Sequence, residues 1–344
     1  MQDHSQTERR KTEHIKICME EQVTSSVTTG LESYRFLHAA LPEINFSQIS
    51  LQTGFINKMV RTPFLISSMT GGTTYAKEIN EKLAEAAEIR GWVMALGSMR
   101  AAIEKEELVT TFQIRKKAPT VPVIANLGAV QLNNGYGIDE CKRIVDMVEA
   151  DALVLHLNSM QEVFQAEGDT NFHQLITKIA QVCKASDVPV GVKEVGFGFD
   201  SASASKLIEA GVSFIDVAGA GGTSWIEVEK HRNKNKRIWD AAEAFLDWGI
   251  PTATSILEVR KVSTDLLLIG SGGIRTGVEA AKAIALGADF VGFGRSLLQA
   301  ATSSVEEVLQ EMERIEFECK SVMFGIGASD LQALKTTERL FKKE

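Results

Sequence analysis

The chain has 344 residues, of which 44% are hydrophobic and 24% charged, and its formal net charge is −8. These are ordinary globular values with room for a large core, as one big α/β domain or two smaller ones. The negative charge argues against non-specific nucleic-acid binding as the main task. Cys18, Cys141, Cys183 and Cys319 lie at no metal-ligand spacing, which predicts reduced thiols. The polar opening segment has no apolar leader and no run reaches the length of a membrane span, so the expectation is a soluble, cytoplasmic protein without membrane insertion.

Residues 1–14 are highly polar and are expected to be mobile on their own. Residues 15–60 combine a helical patch with the alternating stretch IleSerLeuGlnThrGlyPheIle, which suggests a short hairpin. From Pro63 onward, eight apolar runs follow at 63–69, 92–98, 121–128, 152–158, 188–195, 212–219, 266–273 and 289–295. Between most of them lie segments of helical period, at 76–90, 137–149, 172–184, 201–210 and 276–286. Continuous apolar strands alternating with helices predict a parallel sheet covered by helices. Eight such units fit a closed α/β barrel, the (β/α)8 TIM architecture, over 61–344, with residues 1–60 as an N-terminal extension. An open doubly wound sheet would carry a glycine fingerprint after its first strand, and MetThrGlyGlyThr is not one. The basic run 228–237 reads as a solvated or mobile loop.

In such a barrel the chemistry lies at the C-terminal strand ends, and here those ends are polar. They carry Ser67, Ser68, Met69 and Thr70; Ser98 and Arg100; Asn126; His156, Asn158, Gln161 and Glu162; Lys193; and Asp216. Lys193 sits where a buried strand would hold Val or Ile, so it must be paired or used. Strand parity puts Val154, His156 and Asn158 on one face, Gly191, Lys193 and Val195 on another, and Leu96, Ser98 and Arg100 on a third. If those faces look inward, three strands aim polar groups into one cavity. Glu194 points the other way, and Asp216 falls early in its run.

Three glycine-rich turns, at 219–224, 270–277 and 292–296, follow the last three runs. Glycines allow close backbone approach, and amides at a helix start favour an anion. A phosphate-bearing cofactor is therefore expected. Composition leaves flavin mononucleotide, pyridoxal phosphate and a sugar phosphate open, with Lys193 the Schiff-base lysine in the second case.

The motifs ArgLysThrGluHis (10–14), ThrThrGlyLeuGlu (28–32), MetThrGlyGly (69–72), LeuGlySerMetArg (96–100) and IleAlaAsnLeuGly (124–128) occur in order along the chain. They are followed by HisLeuAsnSerMetGlnGlu (156–162), ValLysGluValGlyPheGly (192–198), AspValAlaGlyAlaGlyGlyThrSerTrp (216–225) and SerGlyGlyIleArgThrGly (271–277). As a set, from residue 10 to about 300, they resemble the type 2, FMN-dependent isopentenyl-diphosphate delta-isomerases. The resemblance implies interconversion of isopentenyl and dimethylallyl diphosphate in isoprenoid biosynthesis, by a 1,3-allylic proton shift needing reduced FMN and Mg2+, with NADPH as reductant. It implies FMN contacts at Ser68, Met69, Thr70, Ser98, Asn126, Lys193 and Thr223, and phosphate contacts at Gly273, Ile274, Arg275, Gly294 and Arg295. The diphosphate would meet Arg10, Lys11, Ser98, Met99 and Arg100. His156, Asn158 and Gln161 would line the allylic end, and Glu162 would hold Mg2+. Two positions depart from the family: Ser159 stands where proline is expected, and Ser68 where alanine is usual.

Alkene protonation passes through a carbocation-like state, so the site needs a strong acid and dry walls. The strand ends look short of free carboxylates, which leaves the reduced flavin as acid and base. Lys193 would then stabilise its negative charge, Gln161 would relay or orient, and Glu229 would tune the flavin edge. A swapped arm and closed symmetry make a homotetramer or homo-octamer the expected assembly. The competing functions are an FMN barrel oxidoreductase acting on a 2-hydroxy acid or a dihydropyrimidine, and a non-catalytic barrel that binds a phosphorylated ligand.

Overall fold

Eight parallel strands close into a barrel in the computed structural model, which describes residues 6–343. In chain order they are β1 (Phe64–Ile66), β2 (Val93–Ala95), β3 (Val123–Gly128), β4 (Ala152–His156), β5 (Val190–Lys193), β6 (Phe214–Asp216), β7 (Leu267–Gly270) and β8 (Phe290–Phe293). β8 pairs with β1 and closes the ring. Every predicted run holds one of these strands, and helices return the chain between them, among them Thr74–Arg90, Ile138–Met147, Leu175–Ala185, Ser201–Glu209 and Gly277–Ala285. The doubly wound alternative is excluded by the closure.

Alternation decides what fills the barrel. Leu65, Val93, Ala95, Ile124, Ala152, Val154, Phe214, Ile269 and Phe290 form one apolar cluster inside it. Gly191 belongs to the same interior, because a Cβ there would lie 2.3 Å from the Phe214 ring. Going up the strands by twos, this interior gives way to Asn126, His156, Lys193 and Asp216, and the apolar plug becomes a polar floor. Strand β2 departs from the expected parity. Val93 and Ala95 are its inward pair, so Leu96 joins the outer core. Ser98 and Arg100 reach the mouth because the chain bends beyond Leu96 into the helix Arg100–Glu104.

The barrel is closed at both ends by the first sixty residues. At the bottom, Thr53–Phe55 pairs with Lys58–Val60, a hairpin slightly later than the stretch expected to form one. Its Phe55 ring packs edge-on to Phe290 at 5.0 Å and tilted to Phe214 at 6.3 Å. Tyr34–Phe36 pairs with Leu340–Lys342 and ties the extension to the C-terminus.

At the top lies the helix Gln6–Glu20. The segment 1–14, expected to be mobile on its own, is ordered from residue 6 onward where it packs over the mouth; residues 1–5 lie outside the described residues. The helix forms because its residues at i, i+4, i+7 and i+11 all find partners across the mouth. Thr7 donates to Glu104 at 2.8 Å, Lys11 to the Ser98 carbonyl at 3.0 Å, and His14 meets Glu229 at 2.9 Å. Cys18 packs on Val23 and Val228.

The basic run is corrected in its first half. That half belongs to the helix Trp225–Arg232, and the end of the run enters the helix Lys236–Ala242. Lys230 is buried beside Glu227 and Glu243. Arg232 is paired to three carboxylates. These two charges are internal ties, whereas Lys234, Lys236 and Arg237 are solvated as expected.

Candidate active site

Between the polar floor and the N-terminal helix lies a cavity of about 600 Å³. Its floor is set by strand register. His156 pairs with Lys193 across β4 and β5, and Lys193 pairs with Asp216 across β5 and β6. Asp216 is the last residue of its strand, not an early one, and it faces inward beside Lys193. Its carboxylate accepts from Ser271 Oγ and from the Ala218 N–H. Burial pushes the Asp216 carboxyl up, against the pull of the nearby Lys193 ammonium. The Lys193 ammonium donates to the Glu194 carbonyl. The Glu194 side chain turns away and accepts the N–H groups of Val195, Gly196 and Phe197, which fixes the loop after β5.

His156 has a defined tautomer. Asn126 uses its amide nitrogen on the Leu96 carbonyl at 3.1 Å, so its oxygen accepts from His156 Nδ1 at 2.8 Å. Nε2 is then the free acceptor. Burial, with Lys193, Lys11 and Arg10 nearby, pulls His156 down to about 3, so the ring is neutral at physiological pH.

One wall is built by the helices Ser159–Phe164 and Trp225–Arg232. Gln161 Nε2 donates to Glu229 Oε1 at 3.1 Å, while Gln161 Oε1 accepts from Asn158 Nδ2 at 3.3 Å. Glu229 is fully buried and does not itself line the cavity; it stands behind Gln161 and His14. Burial opposes its charge, but the His14 hydrogen bond and the Arg232 guanidinium outweigh that and hold it at about 2. Glu162 accepts from Asn158 Nδ2 at 2.7 Å, Gln165 Nε2 at 3.1 Å and the Asp169 N–H at 2.7 Å. Burial still pushes its carboxyl above the ordinary value.

The opposite end is basic. Arg10 and Lys11 reach in from the N-terminal helix, and Arg100 enters from the other side, tied to Glu104 and Asp169. The Lys11 stem is partly exposed, but its ammonium lies within the cavity, and burial followed by the charge of Arg10 pulls it down to about 7.

The predicted site residues therefore converge, with two exceptions. Ser68, Met69, Thr70, Ser98, Arg100, Asn126, His156, Asn158, Gln161, Glu162, Lys193, Thr223, Gly273, Ile274, Arg275, Gly294 and Arg295 all line the cavity with Arg10 and Lys11. Met99 does not; its side chain is buried in the outer core. Glu229 is the other exception, acting from behind. Ser67, named only as a strand-end residue, and His14, Trp225 and Ser271, present in the motifs without a role, also line the cavity, as do Gln165 and Ser296, which the sequence does not single out.

The glycine turns divide into two kinds. A Cβ on Gly272 would strike the Gly219 carbonyl at 2.1 Å, and one on Gly273 the Gly221 backbone at 2.4 Å. Those glycines let two loops pack backbone to backbone. Gly294, in contrast, has nothing within 4 Å of its Cβ position and starts the helix Arg295–Ser303.

These features fit a flavin mononucleotide. Ser67 Oγ, Ser68 Oγ, Thr70 Oγ1 and Ser296 Oγ are buried at the cavity without a partner, and buried hydroxyls are rarely left so. Ser296 lies in the first turn of the helix Arg295–Ser303, and it lines the cavity together with Arg295 and the Ser271–Arg275 loop, whose amides and guanidinium groups suit a phosphate. A metal cage is another matter. Among the described residues, no three His, Cys, Asp or Glu side chains converge to hold an ion. Glu162 and the unpartnered Asn158 Oδ1 suit Mg2+ only where phosphate oxygens bring further ligands.

Comparison with known proteins agrees with this geometry. The chain is 54% identical to the isopentenyl-diphosphate delta-isomerase of Oceanobacillus iheyensis, over 96% of its own length and 95% of that protein's. The chain belongs to the isopentenyl-diphosphate delta-isomerase family. Relatives of the same name from Nostoc sp. and Rickettsia prowazekii are 50% and 45% identical, covering 97% and 96% of this chain and 95% and 96% of theirs. Residues 128–340 also match the FMN-dependent dehydrogenase family model. Among solved structures, a lactate oxidase of Pediococcus acidilactici superposes with a TM-score of 0.68 at 16% identity, covering 96% of this chain and 87% of that one. A mandelate oxidase with a C4a-OH-FMN adduct gives 0.67 at 18% identity, covering 98% and 99%. The oxidases share the barrel fold with the family.

Proposed function

We propose that the protein interconverts isopentenyl diphosphate and dimethylallyl diphosphate by a 1,3-allylic proton shift, using reduced FMN. The observation that carries the reading is the division of one cavity into two ends. One is walled by Arg10, Lys11, Arg100 and Glu162; the other is lined by unpartnered hydroxyls and the open start at Gly294. A diphosphate suits the first and a flavin the second.

When bound, reduced FMN supplies acid–base chemistry at its N5 without net hydride transfer. The protein's part is placement. Lys193 would set a positive charge against the flavin from the floor, and Asp216 keeps that lysine from facing the interior without a counter-charge. The neutral His156 offers Nε2 as an uncharged wall group beside a cationic transition state, where an imidazolium would repel it. Gln161, held at both ends of its amide, presents a fixed dipole to the allylic carbons. Glu162 would share Mg2+ with the diphosphate. The N-terminal helix covers the cavity, excluding water that would quench a carbocation. Residues 1–60 would then serve as substrate arm and barrel floor, and 61–344 as the FMN-binding barrel.

NADPH as reductant, a homotetramer or homo-octamer, and the cytoplasm as compartment are part of the same proposal. No described helix is long and apolar enough to cross a membrane. The deciding experiment is anaerobic turnover of isopentenyl diphosphate with Mg2+ and pre-reduced FMN. Dimethylallyl diphosphate formed without flavin oxidation supports the isomerase. Reduction of the oxidised flavin by a 2-hydroxy acid, with no allylic product, would replace it with the oxidoreductase reading.

A further inference from the structure

The Arg232 guanidinium reaches three structural elements at once. Nε donates to Glu13 Oε2 on the N-terminal helix at 2.9 Å, and Nη2 to Glu167 Oε1 beyond the helix Ser159–Phe164 at 2.9 Å. Nη1 donates to Glu229 Oε2 on its own helix at 2.6 Å. The Arg232 side chain is only 10% exposed and its Glu229 partner is fully enclosed, whereas the Glu13 partner is 55% exposed, so the tie to the helix is the weaker part. His14, next to Glu13, takes the other oxygen of the same Glu229. One turn of the N-terminal helix therefore grips both members of the Arg232–Glu229 pair.

We propose that Arg232 is a positioning residue that fastens the N-terminal helix over the cavity and, through Glu229, fixes which way the Gln161 amide points. The second part rests on the isomerase reading; the first does not. An amide can be turned end for end, and its neighbours decide which way it sits. Glu229 as a carboxylate only accepts, so it takes the Gln161 Nε2 donor and leaves Oε1 to accept from Asn158 Nδ2. A protonated or displaced Glu229 would lose that preference, and Gln161 could present its nitrogen where its oxygen now lies. The His14 hydrogen bond and, after it, the Arg232 guanidinium keep Glu229 charged although the carboxylate is fully buried, and Arg232 also fixes its second oxygen in place. Glu13 ties the helix to Arg232 without touching Glu229 or the Gln161 amide, so the two parts of the clasp can be separated. Arg232 itself does not line the cavity.

Two substitutions separate the two functions. Glu13→Gln weakens only the grip on the N-terminal helix, whereas Arg232→Gln removes both parts of the clasp. Amide hydrogen exchange on the full-length holoprotein should rise about tenfold within residues 6–20 in both variants, with the barrel strands unchanged. In steady-state assays, Glu13→Gln should raise KM several-fold with little change in kcat, while Arg232→Gln should lower kcat at least tenfold. Arg232→Lys, which keeps one donor to Glu229, should recover part of that kcat and guards against an Arg232→Gln chain that does not fold. Exchange that stays low over 6–20, or rises equally in the barrel, overturns the clasp. A kcat loss as large in Glu13→Gln as in Arg232→Gln overturns the link to Gln161. Helix opening in a protein that isomerises nothing even before substitution leaves the clasp standing and removes the proposed function instead.

Discussion

Lys193 and Asp216 occupy paired positions on β5 and β6, both facing the barrel interior, at 7% and 3% exposure. The Lys193 ammonium holds the Glu194 carbonyl and, without a direct ion pair, pulls on the buried Asp216 carboxyl against its desolvation. Lys193→Ala should therefore lower apoprotein stability by about 1–3 kcal/mol, the cost of leaving buried polar groups without their partner, and adding Asp216→Asn should restore part of it. Urea denaturation of the apoproteins measures this without reference to turnover. The single variant should fold, yet lose yellow cofactor and isomerase activity. Full activity with retained flavin would remove the role given to Lys193.

Lys193 was legible because β5 is short and strictly alternating; Gly191 and Lys193 could only share a face. Asp216 was legible as a polar residue of its strand but not as its last one, because the apolar run continues past the strand end and hides where the strand stops. The β2 parity failed for a related reason: the chain bends after Leu96, so alternation no longer carries to Ser98. The covering helix left a signal in the spacing of Thr7, Lys11, His14 and Cys18, but a polar stripe on a polar segment has no apolar contrast to mark its inner face. The glycines carry more than the sequence shows. Gly272 and Gly273 look like a phosphate cradle in sequence and do line the cavity, and the backbone of the neighbouring loop also needs their missing side chains.

The pH profile should expose Lys11. Burial and Arg10 hold it at about 7 in the free protein, so its charge is present below that pH and lost as pH rises through it. An anionic substrate should then bind more weakly on the alkaline side, lowering kcat/KM by about tenfold, the size of one charge-assisted hydrogen bond. Lys11→Arg keeps its charge throughout and should flatten that limb. His156, held at about 3, should contribute no step between pH 5 and 9. An alkaline limb unchanged in Lys11→Arg would assign it to another group.

Glu162 is a buried carboxylate whose hydrogen-bond donors are neutral amides, with burial raising its pKa. A divalent cation at its oxygens would supply the missing charge. Glu162→Gln should raise the Mg2+ concentration for half-maximal activity by about tenfold or more, as losses around a metal site do. The substituted amide also brings a donor toward Asn158 Nδ2, so the Asn158 side chain should reorient as well. An Mg2+ titration identical to that of the unsubstituted protein would eliminate Glu162 as ligand.

The floor of the barrel should carry stability without chemistry. Phe55 is 1% exposed and closes the interior against Phe290 and Phe214, at the opposite end from Lys193 and Asp216. Phe55→Ala leaves a cavity beneath the strands, which should cost about 3–5 kcal/mol in denaturant unfolding. The layer above the void is Leu65, Ala95, Ile124, Val154 and Ile269, all within the same apolar cluster. Relaxation there is limited by close packing, so the polar floor should keep its geometry. At temperatures where the variant remains folded, KM should be unchanged and kcat within about twofold, since distant sites couple weakly. A large fall in kcat with native stability would mean that the hairpin reaches the site through the barrel core.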